Sequence, residues 1–441
     1  MKKKRLPKSL KKMNLNAAGI DIGSTEHYVA VPEDRAVKNI RVFQTFTSDL
    51  YELGNWLKEC KISTVAMEST GVYWIPLFQI LEEMGFEVYL VNAHHVKNVP
   101  GRKTDVKDCQ WLQELHTYGL LRASFQPESV VRQLRVFMRQ RDMLIRYSSS
   151  HIQHIQKTLT LMNIKLSNVI SDITGETGMG IIRDIVKGEH NPEELIKNCR
   201  RGLKNPMDVI KKSLEGNYTE EHVFLLSQNL ELYDFYKKKI EACEKEINKL
   251  LNTISLNNGS NKVSQDGNTH KLEDLTTNDY LKKITGVDLL AVKGFNTNSL
   301  LAIISEVGLD MSKWQTVKHF TSWLGLSPNN KISGGKILHS GTKKTKSYAS
   351  KAFRLCAQSL SKSHSYLGGF YRRLKSRLGA PKANVATARK LSIIFYTMLK
   401  NGIEYNDLGC DYFDERHKER SIKNLKKRAE LLGYSIIECS T

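Results

Sequence analysis

The run Ala18-Gly-Ile-Asp-Ile-Gly-Ser24 constrains the fold most strongly. It is short and apolar, and it carries one carboxylate, Asp21, between two glycines. Val29-Ala-Val31 follows closely, as expected of two adjacent strands joined in a hairpin. Asp21 is then expected inside a β-strand. Burying an unpaired carboxylate costs several kcal/mol or more, so an acid kept there implies a cation that it holds.

Residues 17–125 alternate strand-like and helix-like segments. Strands are predicted over Ala18–Ile22, His27–Val31, Ile40–Thr45, Ser63–Met67 and Glu87–Val91, and helices over Ser48–Cys60, Tyr73–Met84 and Asp105–His116. Hairpin-type strands followed by strand–helix units suit an α/β domain with a mixed sheet and helices on its faces. A strand Asp followed by Gly also begins ribonuclease-H-like nucleases and sugar-kinase-type ATPases. The kinase reading needs a second phosphate-binding glycine loop and an adenosine pocket, and neither is found further along.

Three more acids stand out. Glu68 ends the fourth predicted strand, in Val65-Ala-Met-Glu-Ser-Thr-Gly71, and Asp105 and Asp108 lie in Lys103-Thr-Asp-Val-Lys-Asp108. The last two are spaced i, i+3 and share a face of the helix they open. Each has an ordinary explanation: two acids complement a helix dipole, and a glutamate can simply end a strand. Taken together, the four can converge on one point of such a sheet. Carboxylates gathered there repel one another unless divalent cations intervene, and Mg²⁺, with Mn²⁺ as its substitute, prefers such oxygen ligands. Two such ions clamp the attacking and leaving oxygens of a phosphodiester.

The net charge of +21 is unevenly placed. From Met311 to Ile403, 93 residues hold 18 Lys and Arg and no Asp or Glu. With 46 acids in 441 residues, about ten would be expected there, because an ordinary solvated surface mixes both signs. A region purged of one sign points to a polyanion lying on it, hence nucleic acid. The expected contacts are Lys331, Lys336, Lys343, Lys344, Lys346, Arg354, Arg372, Arg373 and Arg389. No apolar run approaches the ~20 residues of a membrane helix, so no membrane partner is expected. The basic start, residues 1–12, lacks the apolar core of a signal peptide and reads as a solvated tail or phosphate-binding arm. The seven cysteines are scattered without a C-x-x-C pair, which fits a reducing cytoplasm.

Beyond Gln126 the pattern becomes helical. One long helix is predicted over Glu128–Ile170, studded with Arg132, Arg135, Arg139, Arg141 and Arg146. Ser171–Asn217 reads as an inserted helical hairpin. Over Thr219–Ile254, Leu226, Tyr233, Tyr236, Ile240, Cys243, Ile247, Leu250 and Ile254 fall on one heptad seam, with Asn229 in the remaining slot. That suits an antiparallel or intermolecular coiled coil, with self-association favoured. Residues 256–280 read as a linker. The turns at Ile284-Thr-Gly-Val and Val292-Lys-Gly-Phe295 suit main-chain contact with a DNA backbone. Gly325–Ser340 reads as a loop in which Ser333, before Gly334-Gly335, can approach a phosphate amid Lys331, Lys336 and His339. By pattern alone, Ser-Gly-Gly is an ordinary turn. Basic helices follow over Lys343–Ser361, Gly369–Leu378 and Ala383–Lys400, with Tyr348, Phe353, Tyr366, Phe370 and Tyr371 interleaved.

Gly-Ile-Asp-Ile-Gly (19–23), Met-Glu-Ser-Thr-Gly (67–71), Asn-Ala-His-His-Val-Lys (92–97), Lys-Thr-Asp-Val-Lys-Asp (103–108), Gly-Leu-Ser-Pro-Asn-Asn-Lys-Ile-Ser-Gly-Gly-Lys (325–336) and Ala-Thr-Ala-Arg-Lys (386–390) occur in that order. The set resembles the DEDD transposases of insertion sequences, the "one-ten" family, over residues 17 to 410. The resemblance implies a RuvC/RNase-H-like domain at 17–125, a helical coiled-coil middle at 126–255 and a mainly α-helical transposase domain at 281–405. A basic tail (1–16) and an accessory tail (406–441) flank them. It assigns the metal-binding acids to Asp21, Glu68, Asp105 and Asp108, and the nucleophile to Ser333 rather than Ser327. Its expected partners are donor and target DNA, a noncoding bridge RNA that pairs with both, and further copies of the chain: a dimer, and a tetramer when two duplexes are joined. Its expected setting is the bacterial nucleoid. Asp21 and Ser333 fall in different domains, so their meeting can require two protomers, which would give the coiled coil a role.

Two other readings remain open. A RuvC-like nuclease would hydrolyse DNA with metal-activated water and would not need Ser333. A purely nucleic-acid-binding protein would use the four acids structurally.

Overall fold

The structure is a computed structural model that describes residues 11–92, 105–200, 202–259, 276–343, 345, 347–435 and 437. It divides into two compact units, Met1–Gln126 and Pro127–Thr441. No helix among the described residues is long and apolar enough to cross a membrane.

The first unit is a mixed α/β domain. Its strands are β1 (Ala17–Ile22), β2 (Glu26–Ala30), β3 (Ile40–Gln44), β4 (Thr64–Glu68) and β5 (Glu87–Val91). They form one sheet in the order β3-β2-β1-β4-β5. β1–β2 and β2–β3 are antiparallel, while β1–β4 and β4–β5 are parallel. Alternation along β1 and β4 sorts the side chains onto two faces. Ala18, Ile20, Ile22, Val65 and Met67 join a buried core with Leu53, Trp56 and Leu57 of α1 (Thr47–Glu59) and Leu77 and Leu81 of α2 (Trp74–Glu83). The opposite face, with Gly19 and Thr64, receives α3 (Asp105–Thr117).

The second unit is mostly helical. α4 (Ser129–Leu161) ends earlier than the sequence suggests, because Asn163 turns left-handed at φ 57°. Next come α5 (Leu166–Val169), α6 (Glu176–Val186), α7 (Pro192–Leu195) and α8 (Met207–Ser213). They share a core with the end of α4 and the start of α9 (Glu220–Gly259). α9 runs antiparallel to α4: His151 contacts Asn229 at 3.1 Å and stacks on Tyr236, while Arg141 reaches Glu244. The heptad side of α9 therefore leans on α4 of the same chain, the antiparallel alternative. Arg139 donates twice to the buried Glu306, and Arg135 donates to the carbonyls of Ser305 and Glu306. These arginines stitch helices together rather than standing free for nucleic acid.

α10 (Thr277–Thr285) opens with a capping box from Thr276 and Asp279. α11 (Thr297–Val307) and α12 (Val317–Trp323) follow. The stretch read as a loop is instead a hairpin, β6 (Pro328–Ser333) with β7 (Lys336–Thr342). Then come α13 (Tyr348–Ser359), α14 (Tyr366–Leu378), α15 (Ala380–Asn401) and α16 (Tyr412–Leu431). Phe295, Phe320, Phe353 and Phe395 pack at centroid distances of 5.7–6.4 Å to form the aromatic centre of this region. Phe353 and Tyr371 are thus core residues, not surfaces on which bases stack. The turn at Val292–Phe295 is also directed inward, with Gly294 against Cys356 and Leu360.

Candidate active site

The acids of the first unit are placed by the sheet. Ile20 and Met67 are the last pair of the β1–β4 ladder, and Asp21 and Glu68 each come next. They therefore sit side by side at the carboxyl ends of parallel strands, on the face that alternates away from the apolar core. Gly19 and Ala66 are paired on that same face one step earlier.

α3 closes over this face. A Cβ at Gly19 would stand 2.2 Å from the backbone N of Gln113 and 2.4 Å from the carbonyl O of Cys109. Only glycine lets the helix backbone rest directly on β1. The Gln113 side chain donates to the Ala17 carbonyl, so the helix runs opposite to β1: residue 17 lies by 113, and residue 19 between 109 and 113. Extending that register brings Asp21 to the first turn of α3, which carries Asp105 and Asp108.

His116 pins the other end. The Thr64 hydroxyl donates to the Glu87 carbonyl at 3.0 Å and stands 2.9 Å from His116 Nε2, so Nε2 carries the proton and donates to Thr64. Tyr89 packs on the ring. Burial holds His116 neutral by lowering its pKa to about 4.

Cys109 lies buried behind the acids. Burial, and then the negative charge of Asp21, push its pKa up to about 12, with Asp108 adding to the rise. Both acids are therefore close enough to act on one thiol. The carboxylates offer oxygen donors, the set a hard divalent cation takes. Among the described residues, no three His, Cys, Asp or Glu side chains are gathered tightly enough to hold an ion. The Asp105 side chain lies outside the described residues.

In the second unit, Ser333 is exposed at the tip of the β6–β7 hairpin, paired with Lys336. Gly334 and Gly335 make the turn at φ 54° and 75°, the two positive values of a type I′ hairpin. Ser327 differs: half-buried, its hydroxyl is engaged with Thr321 at 2.8 Å. The expected basic contacts are spread over this region. Lys336, Lys343 and Arg372 are exposed, and Arg372 donates to the Ser363 carbonyl. Arg373 is exposed, and Arg354 and Arg389 are half-buried, each of the latter two with a buried Nε that has no partner among the described residues. Lys344, Lys346 and the Lys331 side chain lie outside the described residues.

Sequence reasoning missed Gly19, Thr64 and His116 as the parts that seat α3. It named Arg354 but missed the polar stripe around it, the N-cap Ser347 with Ser350, Lys351 and Gln358 of α13, whose helical spacing was there to be read.

Two family models match the chain. One, the DEDD transposase model of the IS110 group, described as a transposase, covers residues 18–164. The other, described as the transposase IS116/IS110/IS902 family, covers residues 288–372. Together they take in more than half of the sequence. No curated protein matches it.

Proposed function

The chain belongs to the IS110 family of DEDD transposases, and on that premise we propose that it cuts and rejoins DNA strands through Ser333, guided by an RNA. Transposition of an insertion sequence requires DNA to be cut and rejoined. The observation that carries the chemical reading is the convergence of Asp21, Glu68 and the first turn of α3 on one sheet end, in an RNase-H-like strand order.

Divalent cations held by Asp21, Glu68, Asp105 and Asp108 would supply charge stabilisation at the phosphate. The protein's own residues do the rest. The Ser333 oxygen attacks phosphorus and loses its proton, a phosphoserine ester forms, and one strand P–O bond breaks to release a sugar hydroxyl. The hydroxyl of the incoming strand reverses the step and restores the serine. Bond energy is kept in the ester, so no ATP is needed. Lysines and arginines of the acid-free region neutralise the strand backbone.

Exposure of Ser333 on a narrow hairpin suits a nucleophile that enters a groove of its substrate. Leu225, Leu232 and Phe235 remain exposed on α9, apart from the side that leans on α4, and offer a surface for a second copy. Pairing between an RNA and the two DNA partners would place sequence choice outside the protein.

The test is a denaturing gel of protein, Mg²⁺, labelled donor and target DNA and RNA transcribed from the element's flank. Wild type is expected to give a labelled band at protein-plus-DNA mass, and Ser333→Ala none. Cut DNA without that band in both lanes would instead establish hydrolysis by water.

A further inference from the structure

Where the chain leaves β7 and enters α13, a polar cavity of about 160 Å³ opens. Ser350, Lys351, Arg354 and Gln358 line it from successive turns of α13, and Asn384 closes it from α15. Three of these lining residues also carry a buried polar atom with no hydrogen-bond partner among the described residues: Ser350 Oγ, Arg354 Nε and Asn384 Oδ1. Ser350 is only 3% exposed. A buried polar group left unpaired costs roughly 1–3 kcal/mol, so residues of this kind around one cavity favour a group that can satisfy them.

The walls define that partner. Arg354 and Lys351 are cationic, and no Asp or Glu occurs anywhere between Met311 and Ile403. Ser347 caps α13 by accepting from the Ser350 backbone N–H, and the cavity runs along the helix flank from this cap to Gln358. The Ser350 hydroxyl and the Gln358 amide add donors, and a half-turn of the Asn384 amide presents Nδ2 in place of its oxygen. Donors and positive charge in a space this small suit a compact, acceptor-only anion. The exposed Leu355 at the rim offers an apolar rest for a sugar.

We propose that the cavity between α13 and α15 seats one phosphodiester of the DNA being processed. A phosphate held there fixes the register of a strand along the acid-free face, a task separate from bond breaking. The inference rests on the chain's handling of DNA as a transposase, and not on the phosphoserine chemistry.

The experiment measures binding by the full-length protein to a labelled DNA duplex spanning the element's end. Single phosphates are replaced one at a time by uncharged methylphosphonates. Wild type is expected to show one position at which replacement weakens binding about tenfold. Arg354→Gln and Ser350→Ala are expected to lose about as much on unmodified DNA, and to become insensitive to that one replacement. Ser350→Ala removes a buried unpaired hydroxyl, so its melting midpoint should not fall, which separates lost binding from lost folding. Lys351→Gln should lower the salt dependence of binding by about one charge. Ser333→Ala should bind as wild type does, so failure of the chemistry and failure of this site read out separately. Wild-type affinity in Arg354→Gln and Ser350→Ala, or unchanged sensitivity to methylphosphonates, would overturn the proposal. Loss of RNA affinity with DNA affinity intact would overturn its assignment to DNA.

Discussion

Asp21 and Glu68 end neighbouring parallel strands of a packed sheet, whereas Ser333 stands in solvent at the tip of a two-stranded hairpin. The acids inherit their positions from a core that includes Ile20, Met67, Leu53 and Leu77, and from a helix laid directly on β1. The serine has two antiparallel strands behind it, and its neighbours Ile332 and Leu338 are exposed. A charge cluster that must act on a phosphate within a fraction of an ångström needs a rigid support. The nucleophile proposed for Ser333 would have to reach a strand and bond to it, and would tolerate a looser support, because substrate binding can complete its positioning. Changes to the first region should thus disturb stability and chemistry together, and changes to the second chemistry alone.

The largest effect is expected from Gly19→Ala. Its methyl would meet the backbone of Gln113 and Cys109 at 2.2 and 2.4 Å, and neither atom can move without α3. Overpacking of this kind costs about 1–3 kcal/mol. A shift of about 1 Å in a catalytic group costs on the order of a hundredfold in rate. Strand exchange is therefore expected to fall at least about a hundredfold, with a lower melting midpoint. An alanine variant with wild-type turnover would show that α3 does not position the acids.

His116 tests the same seat by pH. Its folded pKa, about 4, lies below the ordinary 6.5. The unfolded chain thus binds the extra proton first as pH falls, and stability present above pH 6.5 is lost toward pH 4. The full loss amounts to about 3 kcal/mol. His27, also buried and shifted downward by burial, acts in the same direction. Urea midpoints taken across this window should slope less in His116→Gln, whose amide can still donate to Thr64. Equal slopes in the two proteins would remove His116 as the source.

The first unit was the more legible in sequence, for a physical reason. Strand alternation, the lone Asp21 and the terminal Glu68 are local signals, and the observed strands match the predicted ones to within a residue or two. What seats α3 was not local. Gly19 matters because of atoms ninety or more residues away in sequence, and Thr64–His116 is a contact that no period reveals. In the second unit the helices were legible from their periodicity, but the β6–β7 hairpin was not. Pro328-Asn-Asn-Lys-Ile-Ser333 has little strand propensity, and its pairing is imposed by the Gly-Gly turn. The heptads of α9 announced a partner helix, yet could not say that α4 of the same chain would take that side. The arginines of α4 were visible as a row of charges without partners, because their counter-ions, Glu244 and Glu306, lie far along the chain.

The smallest effect, and the one that most sharpens the contrast, is expected at the hairpin turn. Gly334 at φ 54° and Gly335 at φ 75° have open space around them, so an added methyl meets nothing and the penalty is conformational alone. For an L-residue that penalty is about 1–2 kcal/mol, and it falls on a hairpin outside the core. Gly334→Ala is therefore expected to reduce strand exchange about tenfold while leaving the melting midpoint in place. Gly334→Asn should recover most of the loss, because asparagine accepts the left-handed region that a type I′ turn demands. Equal loss in both variants would mean that the space beside Gly334 is filled in the working complex. The turn would then be a contact surface rather than a support for Ser333.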